Sequence, residues 1–464
     1  MKTKRGLFES VCLVGLVVIL LSPRAGQAQN YEILHQELDN RRTGITVMRV
    51  WGSGYEMGYG KGVALAEDIY KGVEEIKAYA GSNYVTLRYS LSNAAWLPEG
   101  TEDEIEGMVA GVKSVLPDAE LDDVDIKITN TFGDWGYACR SHSSWGNYAD
   151  SSFKTISTRR LDFSAPFEVA KHHVLCAWDP EDGSARWVNF SPPGYVAVIT
   201  AVNEYGTMVS LHDYQSWAST DPGLLPRCMA TRLVLTEMEP ELPVNEHLSW
   251  ATQQLGAVQV VTGTFINYYV PEGEAGVFTC PAGGSCGEPR VPRDEFFSGE
   301  VIMTTNQQTD GTSAPPDDSF MEAYYLEGGE KDLESHYSLM GHNGLHLMSV
   351  GYRGEGDMLI WAEGRDSNGV TDRVEIEWNE LFSGENNEDP DAGVSDGGLV
   401  HDGSVDGAVV DGDVEEPGNN GGDGGCGCRT LQQGKNGEVA GVWFLLLLGF
   451  LLPVLRRSKR SGFC

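Results

Sequence analysis

A thiol and a set of groups able to serve it stand in order through the middle of this 464-residue chain. Cys139-Arg-Ser-His142-Ser-Ser-Trp145-Gly146 comes first, Arg159-Arg160-Leu161-Asp162-Phe163 next, then Val202-Asn203-Glu204-Tyr205-Gly206, and finally Met303-Thr304-Thr305-Asn306. A cysteine thiol with a pKa of about 8.5 is mostly protonated near neutrality, so it attacks an amide only with a base at hand. When cysteine begins a chain, its own α-amino group, with a pKa of about 7.7–8.0, supplies that base. Attack then builds a tetrahedral oxyanion, which needs preorganised donors in a dry site. Each residue also has a plainer reading. Cys139 alone would pack as a small hydrophobe, Arg159 and Asp162 would form a structural ion pair, and Asn203 would close a turn. His142 suggests a Cys–His pair of the papain kind, although such partners normally stand far apart in sequence. Other chemistries find less support. The ten histidines show no HExxH or similar metal-ligand spacing, and there is no Gly-x-Ser-x-Gly elbow or glycine-rich phosphate loop.

With Gly52-Ser-Gly-Tyr-Glu-Met-Gly-Tyr-Gly-Lys-Gly62 ahead of the cysteine and Pro193-Gly194 between the later pieces, the chain resembles a family of N-terminal nucleophile hydrolases. These are the enzymes related to acyl-coenzyme A:6-aminopenicillanic acid acyltransferase and, more distantly, the choloylglycine hydrolases. The resemblance runs from Thr46 to Trp361. It implies an α+β fold, a four-layer αββα sandwich, and self-cleavage between Ala138 and Cys139 by the thiol itself. Residues 29–138 and 139–382 would then be two chains of one hydrolase domain, with Cys139 as nucleophile and base together. The resemblance also implies that Arg159 favours the thiolate and that Asp162 holds the α-ammonium or the arginine. Asn203 would donate to the oxyanion, and Asn306 would hydrogen-bond substrate or nucleophile. A small-molecule amide is the implied substrate, and no cofactor or metal is called for. Arg160 stands where the family usually has asparagine, Ala138 where several relatives have glycine, and His336 where an arginine is expected near Ser335-His336-Tyr337. Those departures leave the mechanism intact and the substrate class open. Two alternatives stay beside this one: a non-catalytic surface-displayed binding protein on the same fold, and a phospholipase-B-like or lipid amidase.

Strands and helices must position these groups. Thr46 to Trp51 is a β-branched run ending in Gly-Ser-Gly, and Tyr55 to Ala78 and Glu104 to Val115 carry apolar residues at helical spacing. Beyond Cys139 the texture turns to strands. Thr155 to Ser157 leads into an Arg159–Asp162 turn, and His173 to Trp178, Arg186 to Asn189, Val196 to Val202 and Thr207 to His212 follow as hairpins of an antiparallel sheet. Helices are expected over Met229 to Met238 and Val244 to Leu255, then strands near Val301 and from His346 to Trp361.

The two ends read differently. Basic residues, an apolar run and small residues Gly26 and Ala28 mark residues 1–28 as a secretory signal peptide. Residues 383–425, rich in Gly, Asp, Glu and Asn, cannot bury enough apolar surface to order themselves and read as an acidic stalk. Its Asp-Gly pieces could coordinate calcium, although no full EF-hand loop or nonapeptide repeat is present. In residues 426–464, Cys426-Gly-Cys428-Arg429 precedes an apolar span at 439–455 and a basic tail, a unit that resembles the MYXO-CTERM sorting signal. That resemblance implies a sorting protease and cell-surface attachment through Cys426 or Cys428; a plain single-span membrane anchor is the alternative. The net charge of −35 argues against nucleic acid as a partner. Cys280 and Cys286 bracket a turn short enough for a local disulfide, Cys176 sits in an apolar run as a core residue, and Cys139 has no near partner in sequence.

Overall fold

A computed structural model gives the fold and describes residues 29–92, 98, 100–131, 138–162, 169–218, 223–238, 242–292, 297–305, 319–340, 345–366 and 369–383. The signal peptide, Asn306, the sorting signal with its 439–455 span, Cys426 and Cys428 lie outside these, as does the stalk apart from Ser383. The chain divides into two units, Met1–Phe382 and Ser383–Cys464, and the described strands and helices belong to the first.

Its strands are β1 (Tyr31–Leu38), β2 (Gly44–Gly52), β3 (Ala138–Trp145), β4 (Thr155–Asp162), β5 (His172–Pro180), β6 (Trp187–Ser191), β7 (Thr200–Asn203), β8 (Met208–Ala218), β9 (Thr262–Tyr269), β10 (Ala275–Cys280), β11 (Val301–Thr305), β12 (His346–Gly354), β13 (Asp357–Asp366), β14 (Gly369–Val370) and β15 (Val374–Glu377). One sheet runs β1-β2-β5-β6-β7-β8-β9-β10, and its β2–β5 pair is parallel. The other runs β11-β3-β4-β12-β13-β14, with β15 also on β13. The helices are α1 (Gly54–Ala64), α2 (Ala66–Ala80), α3 (Tyr84–Leu91), α4 (Thr101–Val115), α5 (Asp123–Asn130), α6 (Arg227–Thr236), α7 (His247–Ala257), α8 (Ser319–Leu326), α9 (Leu333–Leu339) and α10 (Trp378–Phe382).

Strand side chains alternate between faces, so each sheet has two apolar surfaces to cover. Ile45, Val47, Leu175, Phe190 and Phe265 of the first sheet meet Ile302, Met348, Val350 and Ile360 of the second in one seam. The far face of the first sheet, with Met48, Val50, Val174 and Trp178, packs under residues of α1 to α7 such as Ile69, Ile105, Ile126, Met229 and Leu255. Ile156, Leu347 and Trp361, on the far face of the second, pack against Leu333 and Tyr337 of α9. Helix, sheet, sheet, helix is a four-layer αββα sandwich, the α+β arrangement that the resemblance implies.

The glycine-rich stretch before the cysteine has a packing reason. Ser53 and Glu56 form a capping box that starts α1. A Cβ at Gly58 or Gly62 would lie 2.0 or 2.3 Å from Glu104 O or Met108 O, and one at Gly107 or Gly111 the same distances from Tyr55 O or Tyr59 O. Helices α1 and α4 therefore touch backbone to backbone through these four glycines, which bear no side chain to hold them apart. Beneath them the buried Glu104 takes both terminal nitrogens of Arg232 at 2.6 Å, which pins α4 to α6.

Two sequence expectations need correction. Residues 159–162 do not turn but continue β4 to Asp162, because each arginine finds partners on its own face of the sheet. The segment from Val196 is a strand only from Thr200; ahead of it, the Asn130 amide oxygen accepts from Val196 N and Ala197 N at 2.9 Å and holds a buried loop. Strands β1, β9 and β10 and helices α3, α5, α8 and α9 are not marked by periodicity in the sequence.

Candidate active site

Cys139 enters the seam on the second residue of β3, buried at 3% exposure. Its cross-strand partner on β4 is Leu161, and Ser141 pairs with Arg159. Residues two apart share a face, so Arg159 is the diagonal neighbour of Cys139 on the seam side. Its Nη2 donates to Cys139 Sγ at 3.1 Å and to Leu211 O at 3.0 Å, while Nη1 lies 2.9 Å from His346 Nε2. A fully buried guanidinium is thus aimed at the thiol by backbone and side-chain acceptors.

Burial pushes the Cys139 thiol up to about 12, opposed by Arg159; Asp213 and Asp162 push the same way as burial, and Arg227 against it. In the uncut chain the sulfur is therefore a protonated thiol that donates or accepts weakly, and Arg159 marks the side on which negative charge would be held.

The other expected residues fall elsewhere, and strand parity is the reason. Asp162 is three residues from Arg159 and so faces the outer helices; both of its oxygens meet Arg160, at 2.5 and 2.6 Å, and Arg160 also donates to Met340 O beyond α9. Burial raises the Asp162 pKa, with Arg160 as the main opposing influence. Asn203 lies on the helix side of the first sheet. Its Nδ2 donates to Leu235 O at 3.1 Å, and its Oδ1 accepts from Tyr205 N and Thr207 N at 3.2 and 3.1 Å. That is the turn-forming arrangement, and it does not bring the amide to the thiol. Asn306 is outside the described residues. Ala138 pairs with Asp162 on β4, which puts the Ala138–Cys139 peptide at the end of the ladder.

His142, three residues from Cys139, points to the opposite face, so no Cys–His pair forms. Its ring stacks on His336 of α9 at 4.4 Å, and its Nδ1 lies 2.5 Å from Tyr325 OH. Burial holds His142 down at about 3 and His336 well below the ordinary histidine value. His336 is thus packed in the outer layer, at the place where the family resemblance implies an arginine.

Several polar groups around the thiol carry no local sequence signal. Ser141 Oγ lies 2.8 Å from Tyr269 OH and 3.1 Å from His212 Nε2, linking β3 to β8 and β9. Thr200 Oγ1 lies 3.2 Å from His346 Nε2. Asp213 pairs with Arg227, whose Nη1 also donates to Gly263 O at 3.0 Å. Only Ser141 could have been found beforehand, as the residue two after a cysteine in a strand. The rest come from strands remote in the chain. Cys280 and Cys286 form a disulfide with Cα atoms 3.9 Å apart, and Cys176 is fully buried. Among the described residues no group of three or more histidines, cysteines or carboxylates is placed to hold a metal, and no helix is long and apolar enough to cross a membrane.

No protein-family model and no curated protein matches the chain. Among solved structures it aligns with the Caenorhabditis elegans ortholog of N-acylethanolamine-hydrolyzing acid amidase, at a TM-score of 0.33 and 13% identity, over 46% of this chain and 92% of that one. A likeness of that degree assigns no role to any residue here.

Proposed function

We propose that this chain is a self-processing cysteine amidohydrolase displayed at the cell surface. One observation carries the reading: the thiol of Cys139, at the start of an inner strand, lies 3.1 Å from a buried guanidinium that two further acceptors hold in place. In the first step Cys139 Sγ attacks the carbonyl carbon of Ala138, the C–N bond breaks, and the thiol proton passes to the departing nitrogen. That nitrogen is then the free α-amine of Cys139, and water cleaves the thioester, which leaves a carboxylate on Ala138 and frees the thiol. That amine takes the thiol proton in each later turnover and gives it to the amine leaving the substrate, and water resolves the acyl-thioester. Arg159 stabilises the thiolate at the moment of attack.

The substrate is a small amide outside the cell. Export rests on the pattern of residues 1–28, and anchoring on the Cys426-Gly-Cys428-Arg429 unit with its apolar span and basic tail, which resembles a MYXO-CTERM signal. A second reading, a non-catalytic protein on the same fold, draws on the deep burial of the thiol and on the placement of Asn203 away from it.

Peptide mapping of the full-length chain separates the two. A peptide that begins at Cys139 in the wild type and is missing in Cys139→Ala supports self-processing. An intact, folded wild type with an unmodified Ala138–Cys139 bond defeats it.

A further inference from the structure

The sequence assigns no role to His346, which stands on β12 opposite Leu161 of β4 and Gly364 of β13. It is fully buried, and its Nε2 lies 2.9 Å from Arg159 Nη1. A guanidinium has donors only, so that nitrogen must present a lone pair and the ring proton must sit on Nδ1. An imidazolium in the same place would offer no acceptor and would set a second cation against Arg159.

The surroundings keep the ring uncharged. Thr200 Oγ1 reaches the same nitrogen from the first sheet at 3.2 Å. Phe190 of β6 lies against the ring with centroids 4.7 Å apart, and His173 of β5 meets it edge-on at 6.1 Å. Gly364 makes the room for His173: a Cβ there would lie 2.1 Å from His173 Cδ2. Among the described residues, the ionisable groups acting on His346 are Arg159 and His173. Burial, then Arg159, then His173 keep its pKa well below the ordinary value, and burial holds His173 itself at about 3.

We propose that His346 is a positioning residue that, as a neutral hydrogen-bond acceptor, holds the Arg159 guanidinium against the Cys139 thiol. This rests on the reading of Cys139 as nucleophile and adds the group through which the thiolate is stabilised. Arg159 meets the sulfur, Leu211 O and His346 Nε2. Leu211 O holds the nitrogen that meets the sulfur and His346 Nε2 meets the other terminal nitrogen, so the two acceptors together set the rotation of the guanidinium.

Two amide substitutions in the full-length chain separate position from polarity. In His346→Gln the side-chain oxygen reaches the place of Nε2, and in His346→Asn it stops near Nδ1. Two readouts are taken on each: the rate at which the Cys139 N-terminus appears, and the pH dependence of Cys139 alkylation by chloroacetamide, followed by mass. The expected result is a Gln variant close to wild type in both. The Asn variant should process about tenfold more slowly, with its alkylation profile moved about one unit to higher pH. His346→Leu should follow Asn if it folds; the Gln and Asn pair decides without it. Equal profiles for Gln and Asn, or an Asn profile like wild type, overturn the proposal. If the wild type is never cut, the hydrolase reading falls, and the alkylation profiles alone still decide whether His346 acts on the thiol through Arg159.

Discussion

Removing the guanidinium tests the site most directly. Arg159→Met keeps the side chain long and apolar while withdrawing the donor that meets Cys139 Sγ. Unit charges about 4 Å apart attract by about 4 kcal/mol at an effective dielectric constant of about 20, but a hydrogen bond to a charged partner contributes a net of about 1.5–3 kcal/mol. At about 1.36 kcal/mol per unit, the thiol should rise by about 1–2 pKa units. Burial already pushes this thiol up to about 12, so below that pH the thiolate fraction, and with it the alkylation rate at fixed pH, should fall about 10- to 100-fold. The same substitution removes the guanidinium from Leu211 O, at a cost of about 1–3 kcal/mol, and leaves His346 Nε2 with Thr200 Oγ1 alone, so the melting temperature should drop as well. Arg159→Lys separates the effects, because an ammonium keeps the charge and loses the planar fork. Alkylation of Cys139 on the folded full-length variants, read by mass across a pH series, is the assay. A folded Arg159→Met chain with the wild-type profile and wild-type processing would refute the reasoning.

Asn203→Ala should lower stability by about 1–3 kcal/mol, since it leaves Leu235 O and two backbone N–H groups without their partner, and should leave the Cys139 alkylation profile unchanged; a shifted profile at normal stability would return Asn203 to the oxyanion. His142→Gln should likewise leave processing at the wild-type rate, because the ring lies on the other face of β3 from the thiol, and a processing defect in a folded variant would contradict that placement. Asp68 is buried under Arg42, which donates to it at 2.7 and 2.6 Å, with His172 Nδ1 at 3.1 Å. Burial would raise its pKa, but Arg42 and His172 bring it down to about 2. A lowered carboxylate pKa means the unfolded chain binds the proton first. The pair's contribution, about 2 kcal/mol, is therefore present above an unfolded value of about 3.9 and lost as pH falls through about 2. Urea midpoints across that window should fall less steeply for Asp68→Asn than for wild type, and parallel slopes would remove Asp68 from the acid response.

What the sequence left unread is mostly a matter of faces. Helix α4 and the meander from β5 to β8 were legible because turns and apolar periods are local signals. The continuation of β4 was not, since two adjacent arginines look like a solvated turn until each is given a buried partner on its own side. Once β4 runs to Asp162, alternation sends Arg159 into the seam and Arg160 outward, and a slip of one residue would exchange them. The same parity separates Asp162 and His142 from the thiol although both stand close to its motif in sequence. Nothing local reveals His346, His212 or Tyr269, which reach the site from β12, β8 and β9. The local sequence therefore fixes which residue types are present, while register decides which of them meet. Cys139 and Arg159 sit on adjacent strands of one ladder, so backbone hydrogen bonds rather than loop conformation set their separation. It follows that one residue added between Thr155 and Arg159 would turn the guanidinium away from the sulfur while every motif in the sequence stayed intact.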